Sequence, residues 1–306
     1  QREELLAAQT ANLAAATVQQ LVAAISGVSG LPDASGVVDR EAFAAYALGA
    51  VEESPFESLA YAPVVAGPDR AAFEASVGRP ITDRPGGAPA PARDTYLPVE
   101  WIRPVNPDTQ VLVGFDLATD EVRRAAMEES RDRGTAVISR TVASQPSGRP
   151  AVFVAHPVFR AGTPADATVA ERRAAVVGYV TTGVLGEHLL AAIAAQVDDS
   201  LGIRIEDGPT DDAATDDDAI GPLLASSPAP DGGVTVERSA GGRDWLVTVD
   251  DRRGAPAAAA WWVLAVTLAL AGTLGVLAWR AERHQRQVAR HVDLVDRLAD
   301  LGRALA

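Results

Sequence analysis

The 306-residue sequence has no cysteine, no lysine and a single methionine, Met127. Without cysteine there are no disulfides, no thiolate metal ligands and no thiol nucleophile. Without lysine there is no Schiff-base amine and no phosphate-loop ammonium, and all 27 basic residues are arginines. Histidine is scarce as well: His156, His188, His284 and His291 are the four present, and none stands at a metal-binding spacing such as HExxH. Catalysis within this chain is therefore not expected, nor is a metal or cofactor. The net charge of −14 removes a further class, because nucleic-acid binding needs clustered cations that release counterions.

What the sequence does have is one long uncharged run. Residues 257–279, AAAAWWVLAVTLALAGTLGVLAW, hold no charge over 23 positions. As a helix they extend about 34 Å at about 1.5 Å per residue, enough to cross a hydrocarbon core of about 30 Å. Trp261, Trp262 and Trp279 stand near the ends, where indole rings favour the membrane interface. Arg280, Arg283, Arg286 and Arg290 follow, whereas Asp250 and Asp251 stand beside Arg252 and Arg253 on the preceding side, so the expected topology has the C-terminus inside and residues 1–255 outside the cell. With no methionine at its start, the sequence reads as a fragment or a processed product whose export signal preceded Gln1.

The outer region reads as mixed α and β. Glu3 to Ile25 carries apolar residues at helical spacing, and Asp39 is placed to cap a second helix over DREAFAAYALGAVEE. Pro68 to Val77 predicts a short helix with proline in its first turn. LPVEWIRPV, TQVLVGFDL, TAVISRTVA and RPAVFVAHPVF predict strands. Between them TDEVRRAAMEESRDR predicts a helix, with Thr119 as cap, acids in the first turn and Gly134 after the last. TVAE from Thr168 has capping-box spacing, AAVVGYVTTGV predicts a strand and GEHLLAAIAAQV a helix. LGIRIED, GGVTVERSA and RDWLVTVDD complete the strands, and the seven acids between Glu206 and Asp218 read as a solvated loop.

Several of these pieces, in this order, resemble a known family. DREAFAAYA, YAPVVAGPDRAAFEA, VGFDLATDEVRRAAMEESRDRGTAVIS, VFVAHPVFR and AAVVGYVTTGV are similar to the CHASE domain, an extracellular sensory module of bacterial and plant receptors that includes the plant cytokinin receptors. The central piece is the most specific, with GFD followed by an arginine-rich helix and a glycine 18 residues after the aspartate. The likeness runs from Phe43 to Leu190, and departs at Phe159, where PVF replaces the commoner PVY.

The resemblance implies an α+β, mixed α/β chain: a long N-terminal stalk helix (1–38), a membrane-distal PAS-like sensing module (39–165) and a membrane-proximal PAS-like module (166–255). A C-terminal transmembrane helix (256–280) and a cytoplasmic juxtamembrane helix (281–306) follow. It implies an extracellular small molecule as ligand, adenine-like or another metabolite, held in the distal module. By position Asp116 falls where the family reads a ring and Ile138 where a backbone meets ligand. Phe115, Phe153, His156 and Phe159 are the implied walls. Each has a plain alternative, since aspartate is common in turns and His156 flanks a strand.

Receptors of this kind are expected to act as homodimers in the membrane. Val288, Val295, Leu298 and Leu305 fall at a, a, d and d of a heptad that would pair two cytoplasmic helices. The output domain beyond, a histidine kinase, nucleotide cyclase or phosphatase, is not in this sequence. The competing reading is a dimerisation ectodomain with no small ligand.

Overall fold

The computed structural model describes residues 1–27, 31, 38–51, 55–145, 147–208, 223–227 and 232–251. The apolar run 257–279, the heptad positions, His284, His291 and the part of the acidic run beyond residue 208 lie outside the described residues. Among the described residues no helix is long and apolar enough to cross a membrane.

The elements begin with α1 (Arg2–Ala24), α2 (Arg40–Val51), β1 (Ser58–Pro63), β2 (Val65–Ala66), α3 (Arg70–Val77), β3 (Thr95–Tyr96) and β4 (Trp101–Pro104). They continue with α4 (Glu121–Arg133), β5 (Val137–Ala143), β6 (Pro150–Phe159), α5 (Val169–Ala175), β7 (Val176–Leu185) and α6 (Gly186–Ala194). The last strands are β8 (Leu201–Asp207), β9 (Leu223–Ser227), β10 (Val234–Ala240) and β11 (Arg243–Asp251). Three antiparallel sheets result, ordered β4-β1-β7-β6-β5, β10-β11-β8-β9 and the two-stranded β2-β3.

α1 contains neither glycine nor proline and is rich in alanine, the strongest helix former. Its buried stripe, Ala7, Ala11, Ala14, Val18 and Leu21, repeats every three or four residues. Small side chains on that stripe let the helix lie close along β10 and β11. Arg238 Nε donates to Asn12 Oδ1 at 2.7 Å and Arg2 pairs with Asp251 at 3.3 Å, so polar contacts flank the apolar seam. The expected stalk is thus a helix packed on the four-stranded sheet.

α2 starts where Asp39 Oδ2 accepts the N–H groups of Glu41 and Ala42, both at 2.9 Å. It buries Phe43 beside Tyr61 and Trp101, whose rings stack at 5.2 Å. Alternation along the central strands then sends side chains to two cores. Leu59 and Tyr61 of β1, with Val152 and Val154 of β6, join the large core shared with α1, α2 and the four-stranded sheet. Ala60, Ala62, Phe153 and Ala155 face the other way, toward Met127 of α4, Phe115 and Leu117. Burying each large apolar side chain contributes about 1.5–3 kcal/mol, so both faces are needed.

Two expectations are corrected. TQVLVGFDL forms no strand, because Asn106 accepts the N–H of Asp108 at 3.1 Å and Pro107 opens a 3-10 turn, Pro107–Leu112. Gly114 at φ +89 then redirects the chain into a second turn, Leu117–Thr119. The cap of α4 is Asp120, not Thr119: Asp120 Oδ1 accepts the Arg123 N–H at 2.9 Å, while the Thr119 hydroxyl closes the preceding turn on the Asp116 carbonyl oxygen. β7 pairs with both β1 and β6, so the five-stranded sheet draws strands from both sides of residue 165.

Candidate functional site

A cavity of about 50 Å³ lies between one face of the five-stranded sheet and the segments that cross it. Ala60 of β1, Phe153 of β6, Thr181 of β7 and Val142 of β5 form one side. The opposite side comes from Leu112 and Leu117 of the two turns, from Phe115 between them and from Arg123 of α4. Alternation puts the Phe153 side chain on this face while Val154 belongs to the core on the other, which fixes the register of the wall.

Two buried ionisable side chains, Arg123 and Glu57, line the cavity. Arg123, only 5% exposed, pairs with Asp120 at 2.9 Å, donates to the Ala143 carbonyl oxygen at 2.6 Å and lies 6.0 Å from the Phe153 ring centre. Burial holds its pKa below the ordinary arginine value, and Asp120 opposes that shift. Glu57, 4% exposed, is anchored through its backbone: its N–H donates to Gly183, and its carbonyl accepts from Val105 and Asn106, all at 3.0 Å. Its Oε2 accepts the Ser144 hydroxyl at 2.6 Å, whereas its Oε1 is buried without a hydrogen-bond partner.

Of the six residues named from sequence, Phe115 and Phe153 line this cavity. Asp116 does not: its carboxylate is fully buried and committed to the protein. Oδ1 accepts the N–H groups of Leu97 at 2.9 Å and Ala118 at 3.1 Å, and Oδ2 accepts from Arg93 at 2.9 Å. Ile138 belongs to the core on the opposite face and approaches Gly241. Val154 and Val158 flank His156 at the same parity and face that core too, so His156 also turns away from the cavity. Phe159 is half-buried at the end of β6, past the register shift that follows Val158. Glu57, Ser144 and Arg123 went unnamed because they come from a loop, a strand end and a helix far apart in sequence. No spacing announces them.

His156 donates from Nδ1 to the Pro157 carbonyl oxygen at 2.9 Å. Burial, the larger cause, lowers its pKa from 6.5, and the bond to Pro157 opposes it. The unfolded chain therefore takes up this proton first on acidification. The contribution to stability is fully present above pH 6.5 and is lost as pH falls toward the lower folded value. Between about pH 7.5 and 5.5 the urea midpoint of the native chain is expected to fall more than that of His156→Gln. Equal falls in the two proteins would clear His156 of the effect.

A second, larger concavity of about 430 Å³ lies along β4, at the edge of the sheet. Arg40, Arg79 and Arg103 line it and are exposed, beside Trp101 and Glu100. Burial raises the Glu100 pKa and Arg40 opposes that. Its walls carry exposed charged side chains, whereas the smaller cavity is lined by the buried side chains of Glu57 and Arg123. Among the described residues no group of three or more His, Asp or Glu is placed to hold a metal ion.

The model of the CHASE domain family matches residues 36–217. Probable histidine kinase 4 of Oryza sativa subsp. japonica is 32% identical over 144 residues, which cover 47% of this chain and 14% of the rice protein. The chain thus spans about a seventh of that relative's length. Among solved structures, the periplasmic sensory domain of the Campylobacter jejuni chemoreceptor Tlp1 superposes with a TM-score of 0.50 at 12% identity, covering 82% of this chain and 95% of that one. The ligand-binding domain of the Pseudomonas aeruginosa chemoreceptor PctC, in complex with GABA, gives a TM-score of 0.40 at 17% identity, over 81% of this chain and 99% of that one.

Proposed function

The chain belongs to the CHASE domain family, and from that premise we propose that it is the extracellular small-molecule sensing region of a membrane signalling receptor. One observation carries the ligand part of this reading: a cavity with largely apolar walls is lined by a buried carboxylate whose second oxygen has no hydrogen-bond partner. Small-ligand sites combine these features, the apolar wall supplying affinity and the few polar groups orientation. The two larger sheets, each with helices laid against it, support reading the outer region as two PAS-like modules. The first then ends with β7, and the cavity belongs to it.

The relay is the rest of the proposal. The apolar run 257–279 and the arginines behind it support a membrane helix with the C-terminus inside, and a homodimer gives that helix a partner against which to move. For ligand to change the output it must bind one arrangement of the dimer better than the other. The rice relative's name supports a histidine kinase as the output domain.

A thermal-shift screen of metabolites against the 306-residue chain, repeated on Ala60→Leu, tests the site. Ala60 is 5% exposed and lines the cavity, so leucine there fills it. A true ligand at about 100 times its Kd stabilises the native chain by about 2.7 kcal/mol and leaves Ala60→Leu unmoved. Hits that stabilise both chains equally would place ligand binding elsewhere, and a screen without hits would favour a dimerisation module.

A further inference from the structure

We propose that the ligand of this cavity carries a protonated amine, read by Glu57 Oε1; the inference rests on the reading of the cavity as the sensing site. Glu57 is 4% exposed and lines the cavity, with one oxygen taken by the Ser144 hydroxyl and the other unpartnered. Among the described residues no basic side chain forms an ion pair with it. Arg123, the basic residue that lines the same cavity, is already held by Asp120 and by the Ala143 carbonyl oxygen.

Such a carboxylate sits in low dielectric with neither its hydrogen bonds nor its charge complete, and buried carboxylates are usually found with both supplied. A water molecule would supply a hydrogen bond and leave the charge. A neutral alcohol would do the same. An alkylammonium supplies both at once, with one N–H for Oε1 and others for oxygens on the same wall, where the Ser58 and Thr181 side chains also lie. Its carbon chain then meets Phe153, Val142 and Leu117. The volume of about 50 Å³ confines the group to a small one.

The test is a titration of the detergent-solubilised 306-residue chain with n-propylammonium chloride and, separately, with 1-propanol. The two probes match in size and differ in charge. Affinities are read by saturation-transfer NMR at constant ionic strength. The native chain is expected to bind the ammonium about tenfold more tightly than the alcohol, and Glu57→Gln, similar in shape, to reduce that preference to about twofold or less. Ala60→Leu is expected to lose both probes. Equal binding of the two probes, no binding of the ammonium, or a preference that survives Glu57→Gln overturns the amine assignment. If the alcohol is still lost in Ala60→Leu, the cavity stands as the site and only the ligand class fails. Binding of either probe that Ala60→Leu leaves unchanged overturns the cavity itself.

Discussion

Asp116→Ala is expected to destabilise the chain by about 3 kcal/mol, lowering its melting temperature by roughly 6–12 °C, whether or not a ligand is present. The reason lies in what the carboxylate holds. It is fully buried, accepts the Leu97 and Ala118 N–H groups through Oδ1, and receives Arg93 through Oδ2. Its own backbone N–H donates to the Thr82 carbonyl oxygen at 2.9 Å, so three segments meet at this one residue. Arg93 is about one-third exposed and also pairs with Asp83, which limits what the ion pair adds. The larger loss is the pair of part-buried backbone donors, Leu97 and Ala118, left without this acceptor, at about 1–3 kcal/mol together.

Asp116→Asn separates these contributions. The amide oxygen can still accept from Leu97 and Ala118 while the charge is gone, so a loss of about 1 kcal/mol is expected. Phe115 and Leu117 flank Asp116 and line the cavity, so ligand affinity should fall in the alanine variant through a loosened wall. Guanidinium unfolding together with a ligand titration checks this. If Asp116→Ala keeps native stability and loses only ligand binding, Asp116 is a ligand contact rather than the knot described here.

The second large effect is expected at Gly186, the first residue of α6. A Cβ added there would lie 2.0 Å from the Leu224 carbonyl oxygen and 2.7 Å from its carbon, distances no side chain tolerates. Leu224 belongs to β9, so backbone must move against backbone, and the joint between β7, α6 and β9 has to open. Gly186→Ala is therefore expected to cost about 3 kcal/mol, at the upper end for overpacking by one methyl group.

Gly49 provides the contrast. It lies inside α2, where an added Cβ meets nothing within 4 Å, and alanine is the better helix residue by about 0.5–1 kcal/mol. Gly49→Ala should raise stability by that amount. Comparing the two variants by chemical denaturation isolates close approach from conformational freedom. If both alanines act alike, the contact at Leu224 has no energetic weight.

Local signals were legible because a few neighbouring residues decide them. Asp39 caps α2 as its position foretells, and Thr168 with Glu171 closes a capping box on α5. Gly134 ends α4 at φ +72, where residues with a Cβ are strained. The strand expected over TQVLVGFDL failed for the same kind of reason. Asn106, Pro107 and Gly114 favour turns, and they outweigh the strand preference of Val111 and Val113.

The candidate site was only partly legible. Phe115 and Phe153 were implied by resemblance and do line the cavity, whereas Ile138 and His156 turn away from it. A strand's two faces alternate, and a linear pattern rich in valine and alanine on both faces does not say which one a cavity will occupy. Asp116 was read as a recognition group because position alone carries no partners; Arg93, Leu97 and Ala118 claim it only once the loops fold together.

The sequence by itself determined the helices, most strands, the absence of thiol and lysine chemistry, and the uncharged run at 257–279, because each depends on composition or on residues within a turn or two. Tertiary structure alone decided that β7 sits at the centre of the five-stranded sheet and that Glu57, Ser144 and Arg123 line one cavity. Glu57 and Ser144 are 87 positions apart, and only the pairing of strands brings them to 2.6 Å. Long-range pairing is set by the burial of whole faces, which no short stretch of sequence records.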